Sequence, residues 1–513
     1  MTKVRHLLVL ACVGAFLFSC GGSATESGSE GTISDPLRFI RVGSDQRTFR
    51  SPGGSVFIPV GHNDWTDLRL MSDAQRLERY LSHMKNYGEN VLRITLDSNG
   101  NPDDSPYQNQ VELRVGEFNP DVILAMDNLV ETAERNGIYL FVALWCVYEK
   151  VNWSSHAYNI QHDPEKGLVE SPDELLRDRA AIGAAKERMR FFIERWGSSP
   201  SIFAWELWNE VNVVGTTEQR NLWIEEIGRY AKQMEIELYG EHHLRTASTN
   251  NAGVGSSEEG IFTSPELDFT SYHTYDAWGR VGVNPFSGVP QASSLDPILY
   301  FVFLGQSARL AMEKSGSRPV LGTEDLAIVT DPRKVPWPFN APFRNYTQEQ
   351  LVDFFIGSAW VSWMGGGAGP SLRWPCSPIY GEDKPEGYRA LSNEMYEGQR
   401  ALRRILSTVD WTAFEPAPAP ERIEASDPEQ FISLDLSDGK TVLGCVLNGE
   451  KSFVREETRV DVTFRSLANK PYQIDWYDMR TGDLIQTDRD QGPTFTILSP
   501  SFKTFVAVKA SIR

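Results

Sequence analysis

Cysteine is scarce in this sequence, which has five cysteines among 513 residues. Two lie near the amino terminus, and the remaining three, Cys146, Cys376 and Cys445, are far apart along the chain. This spacing matches neither a disulfide framework nor the ligand pattern of a zinc site. We therefore expect no structural metal, and at most one disulfide among the three distant cysteines.

The sequence also has few basic residues relative to acidic ones, and few long apolar runs. The chain has 50 Lys and Arg against 69 Asp and Glu, which gives a formal net charge of -19. Such an acidic chain is a poor partner for nucleic acids and for anionic lipid surfaces. An apolar run at residues 7–18 is too short to span a bilayer comfortably. Because 41% of the residues are apolar, the chain can still form a large core, in two or three domains.

The apolar run near the amino terminus has the layout of an export signal. Lys3 and Arg5 precede it, and Ser19, Cys20 and Gly21 follow it. A small residue followed by Cys and Gly resembles the signal of bacterial lipoproteins. This resemblance implies cleavage before Cys20, a lipid on Cys20 and a place in the cell envelope, on the outer membrane or cell surface. An ordinary signal peptide with a chance cysteine is the alternative.

Composition divides the chain into four segments. Residues 1–20 form the predicted signal peptide, and residues 21–36, rich in Gly, Ser, Thr and Glu, form a flexible tether. Over residues 37–412, strand-like runs alternate with longer helix-like stretches. Residues 413–513 begin with a Pro-rich linker and continue as short strand-like runs between turn signals, which predicts an antiparallel β-sandwich.

The alternation over residues 37–412 predicts parallel strands joined by crossover helices, an α/β fold. Eight strand–helix units can be counted, from a strand at 57–61 to a strand at 369–374 and a closing helix. We therefore predict a (β/α)8 TIM barrel, with residues 39–57 as a hairpin that plugs its floor. An open doubly wound sheet is the alternative, although no Gly-rich phosphate loop follows the first strand.

Two glutamates end predicted strands of this barrel, where the catalytic groups of such barrels lie. Glu210 ends the fourth strand, at 201–210, and Glu324 ends the seventh, at 319–324. Glycosidic hydrolysis needs two facing carboxyl groups, because one protonates the leaving oxygen and the other attacks or activates water. The pair therefore predicts a glycoside hydrolase, with an oligosaccharide or polysaccharide as its substrate.

Four motifs, in order along the predicted barrel, resemble those of glycoside hydrolase family 5 and its relatives in clan A. They are Arg93 within Val91-Leu-Arg-Ile-Thr95, Trp208-Asn209-Glu210, His273-Thr-Tyr275, and Pro319-Val-Leu-Gly-Thr-Glu324. The resemblance implies a retaining hydrolase in which Glu210 is the acid/base and Glu324 is the nucleophile. It also implies that neither a metal nor a cofactor takes part.

The same resemblance implies roles for neighbouring residues. Asn209 would donate to the sugar 2-hydroxyl, His273 would line the subsite, and Tyr275 would hydrogen-bond to the nucleophile. Arg93 would orient the nucleophile, or alternatively pair with Glu206 as a structural ion pair inside the barrel. Further candidates for sugar contacts at strand ends are His62, Asn63, Trp145 and Trp374. For the first two a surface loop, and for the tryptophans packing, is the alternative.

Two departures from the family pattern leave the substrate open. Val211 stands where the family often has proline, and Asp325 directly follows Glu324. Asp325 is a rival nucleophile, although adjacent strand residues face opposite ways and it should point outward. We expect a monomer that cleaves a β-glucan or β-mannan type of glycan and meets a membrane through its lipid alone. An inactive glycan-binding lipoprotein and a transglycosylase are the alternatives.

Overall fold

A computed structural model describes residues 38–65, 71–96, 110–146, 153–249, 259–275, 297–326, 348–373, 391–411, 422–449 and 456–513. The predicted signal peptide and tether, with Cys20, lie outside these ranges, as do Trp374 and Cys376. Tyr275 is described by its backbone alone. Among the helices of the described ranges, none combines the length and the apolar character that crossing a membrane requires.

Three short strands open the described chain as an antiparallel sheet: β1 (Arg41–Val42), β2 (Phe49–Arg50) and β3 (Val56–Phe57). Phe49 and Phe57 pack in one buried cluster with Phe141, Phe203 and Phe269, which belong to or border the central strands. The segment predicted to be a hairpin that plugs the barrel floor thus forms a three-stranded sheet, and its aromatic rings pack against the central strands.

The central strands are all parallel, and helices separate them in sequence except between β10 and β11, which adjoin. Five of them, in the order β10-β9-β8-β5-β4, are β4 (Gly61–Trp65), β5 (Val91–Thr95), β8 (Tyr139–Ala143), β9 (Ile202–Glu206) and β10 (Leu244–Thr246). Between β5 and β8 lies a small hairpin of β6 (Glu112–Arg114) and β7 (Glu117–Phe118). Three more parallel strands follow: β11 (Ser248–Thr249), β12 (Thr270–Tyr275) and β13 (Val320–Leu326).

Arg373 forms parallel bridges to two distant strands, to Asp325 of β13 and to His62 of β4. The crossover helices are α1 (Ala74–Asn86), α2 (Pro120–Asn136), α3 (Arg179–Trp196), α4 (Thr217–Tyr239), α5 (Glu259–Thr263), α6 (Pro297–Lys314) and α7 (Gln348–Met364), and α8 (Asn393–Leu406) follows. The predicted parallel α/β sheet is therefore present.

Local sequence signals set the ends of these helices. The Asn119 side chain accepts the N–H of Asp121 at the start of α2, and Pro120 occupies its first turn. Gly137 ends the same helix in the left-handed region, at φ 68°. Thr216 and Gln219 form a reciprocal capping box at the start of α4. The helices thus stop where the chain must turn back into the next strand.

The first parallel strand lies later than the sequence predicts. Pro59 has no N–H to give to a ladder, and pairing with β5 begins only at Gly61. A Cβ at Gly61 would come within 1.7 Å of the Val91 carbonyl oxygen, so only glycine allows the two strands to approach there. As a result, His62 and Asn63 lie within β4 and not in a loop after it.

Two antiparallel sheets occupy residues 423–512, as predicted. One contains β14 (Ile423–Ala425), β17 (Asp461–Phe464) and β20 (Phe495–Leu498). The other contains β15 (Phe431–Ser437), β16 (Thr441–Asn448), β18 (Pro471–Tyr477), β19 (Leu484–Gln491) and β21 (Phe505–Ile512). Phe464 of the first sheet and Trp476 of the second share one buried cluster, so the sheets pack face to face.

Candidate active site

Arg93 is the fully buried cation around which the polar side chains of the central sheet gather. Its Nε donates to Glu206 Oε2 at 2.8 Å, and its Nη1 donates to Glu324 Oε1 at 2.6 Å. Nη1 and Nη2 also donate to the amide oxygens of Asn63 at 2.8 Å and Asn209 at 2.7 Å. Arg93 therefore contacts the predicted nucleophile and also pairs with Glu206, which were the two alternatives for it.

The electrostatics of this centre keep Arg93 charged. Burial by itself lowers the pKa of the guanidinium, but the carboxylates of Glu206 and Glu324 outweigh it and raise that pKa. A permanent positive charge 2.6 Å from a carboxylate oxygen favours the ionised form of Glu324. An ionised carboxylate is the form that a nucleophile requires.

His273 lies between the two predicted catalytic glutamates. Its Nδ1 is 2.8 Å from Glu210 Oε1 and 3.5 Å from Glu324 Oε2. Burial alone would lower the pKa of this imidazole, but the negative charges of Glu324 and Glu210 raise it. His273 thus connects both carboxylates, although the sequence assigned it only to the lining of the sugar subsite.

The spacing of the two glutamates is short. One oxygen of Glu210, one oxygen of Glu324 and a ring nitrogen of His273 all lie within 4.8 Å of one another. Retaining glycosidases hold their two carboxyl groups about 5–5.5 Å apart, whereas inverting enzymes separate them by about 6.5–9.5 Å to admit a water. The geometry therefore suits direct attack by one carboxylate. Three such ligand atoms could also hold a metal ion, so the absence of a metal stays a prediction.

Glu210 adopts an unusual backbone conformation for a residue with a side chain. Its φ of 58° and ψ of 46° lie in the left-handed region, and a short 3-10 turn, Val211–Val213, follows. Its N–H donates to the hydroxyl of Ser248 at 2.9 Å, and its side chain is 15% exposed. Strained residues of this kind often mark functional sites.

Asn209 is held on three sides. Its backbone N–H donates to the carbonyl of Trp145, and its amide oxygen accepts from Arg93 and, at 3.2 Å, from Ser248. Its amide nitrogen points towards Cys146 Sγ, 3.4 Å away. Sequence reasoning missed Ser248, whose one signal was a small polar residue near the end of a predicted strand.

A register shift in the sheet places Glu324 beside His273. The register of β12 against β13 shifts between Tyr272 and His273, so that His273 pairs with Glu324. Asp325 faces the other way, as expected, and accepts a hydrogen bond from Ser362 of α7 at 3.0 Å. Burial raises the pKa of Asp325 to about 6. The rival nucleophile is therefore turned away from Glu210.

Asn63 lies inside the sheet and uses all of its amide within the protein. Its nitrogen donates to the carbonyls of Thr323 at 2.7 Å and Leu372 at 2.9 Å, and its oxygen accepts from Arg93. Both amide hydrogens are thus committed to backbone oxygens. We infer that Asn63 braces Arg93, while its predicted contact with the sugar stays a prediction.

Two other predicted sugar contacts are not brought to the carboxylates. The nitrogens of His62 are bonded to Glu89 at 3.0 Å and to Tyr80 at 2.9 Å, because His62 faces the helices while Asn63 faces inward. Trp145 is buried against Trp223, with ring centroids 5.4 Å apart. Their predicted contacts with the sugar stay predictions. Trp374 and the side chain of Tyr275 lie outside the described residues.

Comparison with known proteins finds mannan endo-1,4-beta-mannosidases among the relatives of this chain. No family model matches the chain. A probable mannan endo-1,4-beta-mannosidase A-1 from Aspergillus terreus is 28% identical over 314 residues, which are 55% of this chain and 78% of that protein. A mannan endo-1,4-beta-mannosidase 2 from Oryza sativa is 25% identical over 331 residues, 58% of this chain and 68% of that protein.

Solved structures agree with these relatives in fold. A glycoside hydrolase family 5 protein from Bacteroides vulgatus has a TM-score of 0.63 at 13% identity, covering 92% of this chain and 93% of its own. A family 5 mannosidase from Rhizomucor miehei has a TM-score of 0.50 at 18% identity, covering 70% and 92%. The resemblance predicted from the four motifs is therefore confirmed, and the relatives support an O-glycosyl hydrolase.

Proposed function

We propose that this chain, an O-glycosyl hydrolase that resembles glycoside hydrolase family 5, cleaves β-mannan with retention of the anomeric configuration. The mechanism rests on one observation: a carboxylate oxygen of Glu210 and one of Glu324 lie within 4.8 Å of each other. The Arg93 guanidinium contacts Glu324, and the His273 imidazole lies between the two glutamates. The substrate rests on the sequence relatives, which are named as mannan endo-1,4-beta-mannosidases.

The scaffold of this proposal is a closed (β/α)8 barrel. The eighth strand would lie around Arg373, whose bridges to Asp325 and His62 join the last and first parallel strands. Backbone hydrogen bonds support the pairing on both sides of this proposed strand. Leu372 N–H donates to the Gly322 carbonyl, and Asn63 N–H donates to the Arg373 carbonyl. In a closed barrel, Glu210 and Glu324 share one mouth.

In the first step, a carboxylate oxygen of Glu324 attacks the anomeric carbon. The bond from that carbon to the bridging oxygen breaks, and the bridging oxygen takes the proton of Glu210. Arg93 keeps Glu324 ionised for this attack, and the second amide hydrogen of Asn209 is placed to donate to the 2-hydroxyl. The products are the released part of the glycan on the reducing-end side of the cleaved bond and a covalent glycosyl ester on Glu324.

In the second step, the Glu210 carboxylate takes a proton from water, whose oxygen attacks the same carbon and releases Glu324. Glu210 gave up its proton to the leaving oxygen in the first step, so its carboxylate is free to act as the base here. Two inversions at one carbon restore the starting configuration. A transglycosylase would differ only in passing the glycosyl group to a sugar hydroxyl.

Hydrolysis assays on a panel of mannan, glucomannan, β-glucan and xylan test the substrate class. We expect the greatest rate on mannan, with product of retained configuration when the first minutes are followed by proton NMR. Inversion would contradict the mechanism, preference for β-glucan would contradict the substrate, and soluble transfer products would indicate a transglycosylase. Binding without turnover by the wild-type protein would point to a glycan-binding lipoprotein.

A 2-deoxy-2-fluoro mannoside with an activated leaving group tests the nucleophile directly. This reagent should form a stable ester, and peptide mass spectrometry should find it on Glu324. Glu324→Gln should abolish both labelling and hydrolysis, while Asp325→Asn, the matched neighbour, should keep both. A label on Asp325 would overturn the assignment.

The location in the cell envelope is part of the same proposal. Export and lipid attachment at Cys20 would place residues 37–412, the proposed hydrolase domain, and residues 413–513, the proposed β-sandwich domain, outside the inner membrane on a tether of residues 21–36. Growth with an alkyne-tagged fatty acid should label the wild-type protein but not Cys20→Ser. Equal labelling of both would contradict the anchor.

A further inference from the structure

Ser248 is a fully buried serine of β11 beside the acid/base segment. Its backbone N–H donates to the Trp208 carbonyl at 3.1 Å, which fixes the serine against the segment that carries Asn209 and Glu210. Its hydroxyl lies 2.9 Å from the Glu210 nitrogen and 3.2 Å from the Asn209 amide oxygen. One small side chain thus touches two neighbouring residues of the site.

The direction of each hydrogen bond follows from the groups involved. The Glu210 N–H can only donate, so the Ser248 oxygen accepts there, and the single hydroxyl hydrogen is left for Asn209 Oδ1. Arg93, which has donors alone, also requires that oxygen. Two donors therefore hold Oδ1 in place, and the amide nitrogen is turned towards Cys146 Sγ, 3.4 Å away.

The bond to Glu210 acts on a strained residue. Left-handed backbone is unfavourable for a side-chain-bearing residue, and it persists only where surrounding contacts impose it. In this conformation the Glu210 N–H is directed at the Ser248 hydroxyl. Loss of the hydroxyl would leave a partly buried N–H without that acceptor and would weaken the hold on the turn that carries the acid/base.

We propose that Ser248 is a positioning residue for glycosidic cleavage: one hydroxyl sets both the orientation of the Asn209 amide and the backbone of Glu210. This inference rests on the proposed function, in which Asn209 donates to the sugar 2-hydroxyl and Glu210 is the acid/base. Hydrogen bonds to the 2-hydroxyl strengthen in the transition state, so Ser248 acts on turnover more than on substrate binding.

The test is a double-mutant cycle of Ser248→Ala and Asn209→Ala on mannan hydrolysis. Ser248→Ala should lower kcat by about tenfold to a hundredfold, with a smaller change in KM. In the Asn209→Ala background the same change should cost much less, because the amide that it orients is gone. Ser358→Ala removes another buried hydroxyl, one that donates to the Phe355 carbonyl at 3.2 Å, and should leave kcat unchanged.

Several outcomes would overturn the proposal. They are a kcat for Ser248→Ala within twofold of wild type, equal losses in Ser248→Ala and Ser358→Ala, and fully additive losses in the cycle. If Ser248→Ala fails to fold, Ser248→Cys keeps a small side chain whose thiol is only a weak donor and acceptor, and it should show the same loss of kcat.

A second readout does not depend on activity. Crystal structures of wild type and Ser248→Ala should differ at residue 210, which should leave the left-handed region, or at the Asn209 amide, which should rotate. An unchanged position of both would overturn the inference even if the wild-type protein hydrolyses mannan. A wild-type protein inactive on every glycan, with these shifts present, would instead overturn the proposed function alone.

Discussion

Glu210 and Glu324 have the same side chain, and their neighbours make them different. Glu324 is bonded to a guanidinium whose positive charge is permanent, whereas Glu210 meets the imidazole of His273 and is partly exposed. A fixed positive charge favours a carboxylate, and a titratable partner allows a proton to come and go. The division of labour in the proposed mechanism is therefore set residue by residue.

The backbone of Glu210 gives a prediction about stability. Glu210→Gly and Glu210→Ala both remove the carboxyl group, but only glycine is relaxed at a φ of 58°. We expect Glu210→Gly to be more stable to urea than Glu210→Ala by about 1 kcal/mol. Equal midpoints of unfolding would mean that the left-handed turn is not under strain in solution.

The buried carboxyl of Asp325 gives a prediction about pH. Because its pKa is raised to about 6 from 3.8, its contribution to stability is present below 3.8 and is lost as the pH rises to about 6. Asp325→Asn should therefore gain stability over wild type at pH 7, by about 2–3 kcal/mol, and should gain nothing at pH 3.5. Urea unfolding at both pH values measures this, and a gain independent of pH would contradict it.

At the scale of elements, the ends of the strands decide which side chains meet. The chain enters β4 at Gly61 because Pro59 cannot pair earlier, and this register turns Asn63 inward and His62 outward. Similarly, Pro172 near the start and Gly197 just past the end predict one long helix over residues 172–196. The structure instead has a 3-10 turn, Pro172–Leu176, and then α3, because the Asp178 side chain accepts the N–H groups of Ala180 and Ala181 and starts a new helix.

The contacts of Asn63 predict that one amide links three strands. Asn63→Ala would leave two buried carbonyls and one Arg93 donor without this partner. We expect unfolding to become easier by about 2–3 kcal/mol and kcat to fall about tenfold as Arg93 loosens. Asn128→Ala removes a single side-chain hydrogen bond, from the Asn128 amide to the Met71 carbonyl, and should change neither the stability nor kcat much. Equal effects in the two variants would contradict the bracing role.

At the scale of the whole molecule, the carboxyl-terminal sheets are joined to the helices by a shared core. Leu443 and Cys445 of β16 lie in the same buried cluster as Trp360 of α7 and Phe301 of α6. Val442 and Val446, on the other face of that strand, pack between the two sheets. Asp353 of α7 also accepts a hydrogen bond from Thr504 at 3.0 Å. This contact area argues for a structural role of the sheets.

A truncation tests that role. A chain that ends at residue 411 would expose the apolar surface of α6 and α7, so we expect it to be insoluble or to unfold at a much lower temperature than residues 38–513. Solubility and calorimetry measure the difference. A soluble 38–411 fragment with an unchanged melting temperature and full activity would show that the two parts fold independently.

The sequence by itself determined the class of protein. Spacing of apolar residues is enough to predict parallel strands with helices followed by antiparallel strands, because side-chain periods follow directly from backbone geometry. The family resemblance carried by the Arg93, Asn209–Glu210, His273 and Glu324 motifs predicted a pair of facing carboxyl groups, and the structure brings Glu210 and Glu324 together. Such residues are recognisable because few other side chains can perform their chemistry.

Tertiary structure alone decided how these residues are held. No local pattern distinguishes Ser248 from other strand serines, because its hydroxyl meets Asn209 and Glu210 only after folding has brought the segment that follows β9 beside β11. The inward Asn63 and outward His62 depend on a register set by packing, and the left-handed Glu210 depends on what surrounds it. A short sequence motif is enough to identify a candidate catalytic residue, whereas the orientation of its side chain depends on contacts between residues far apart in the chain.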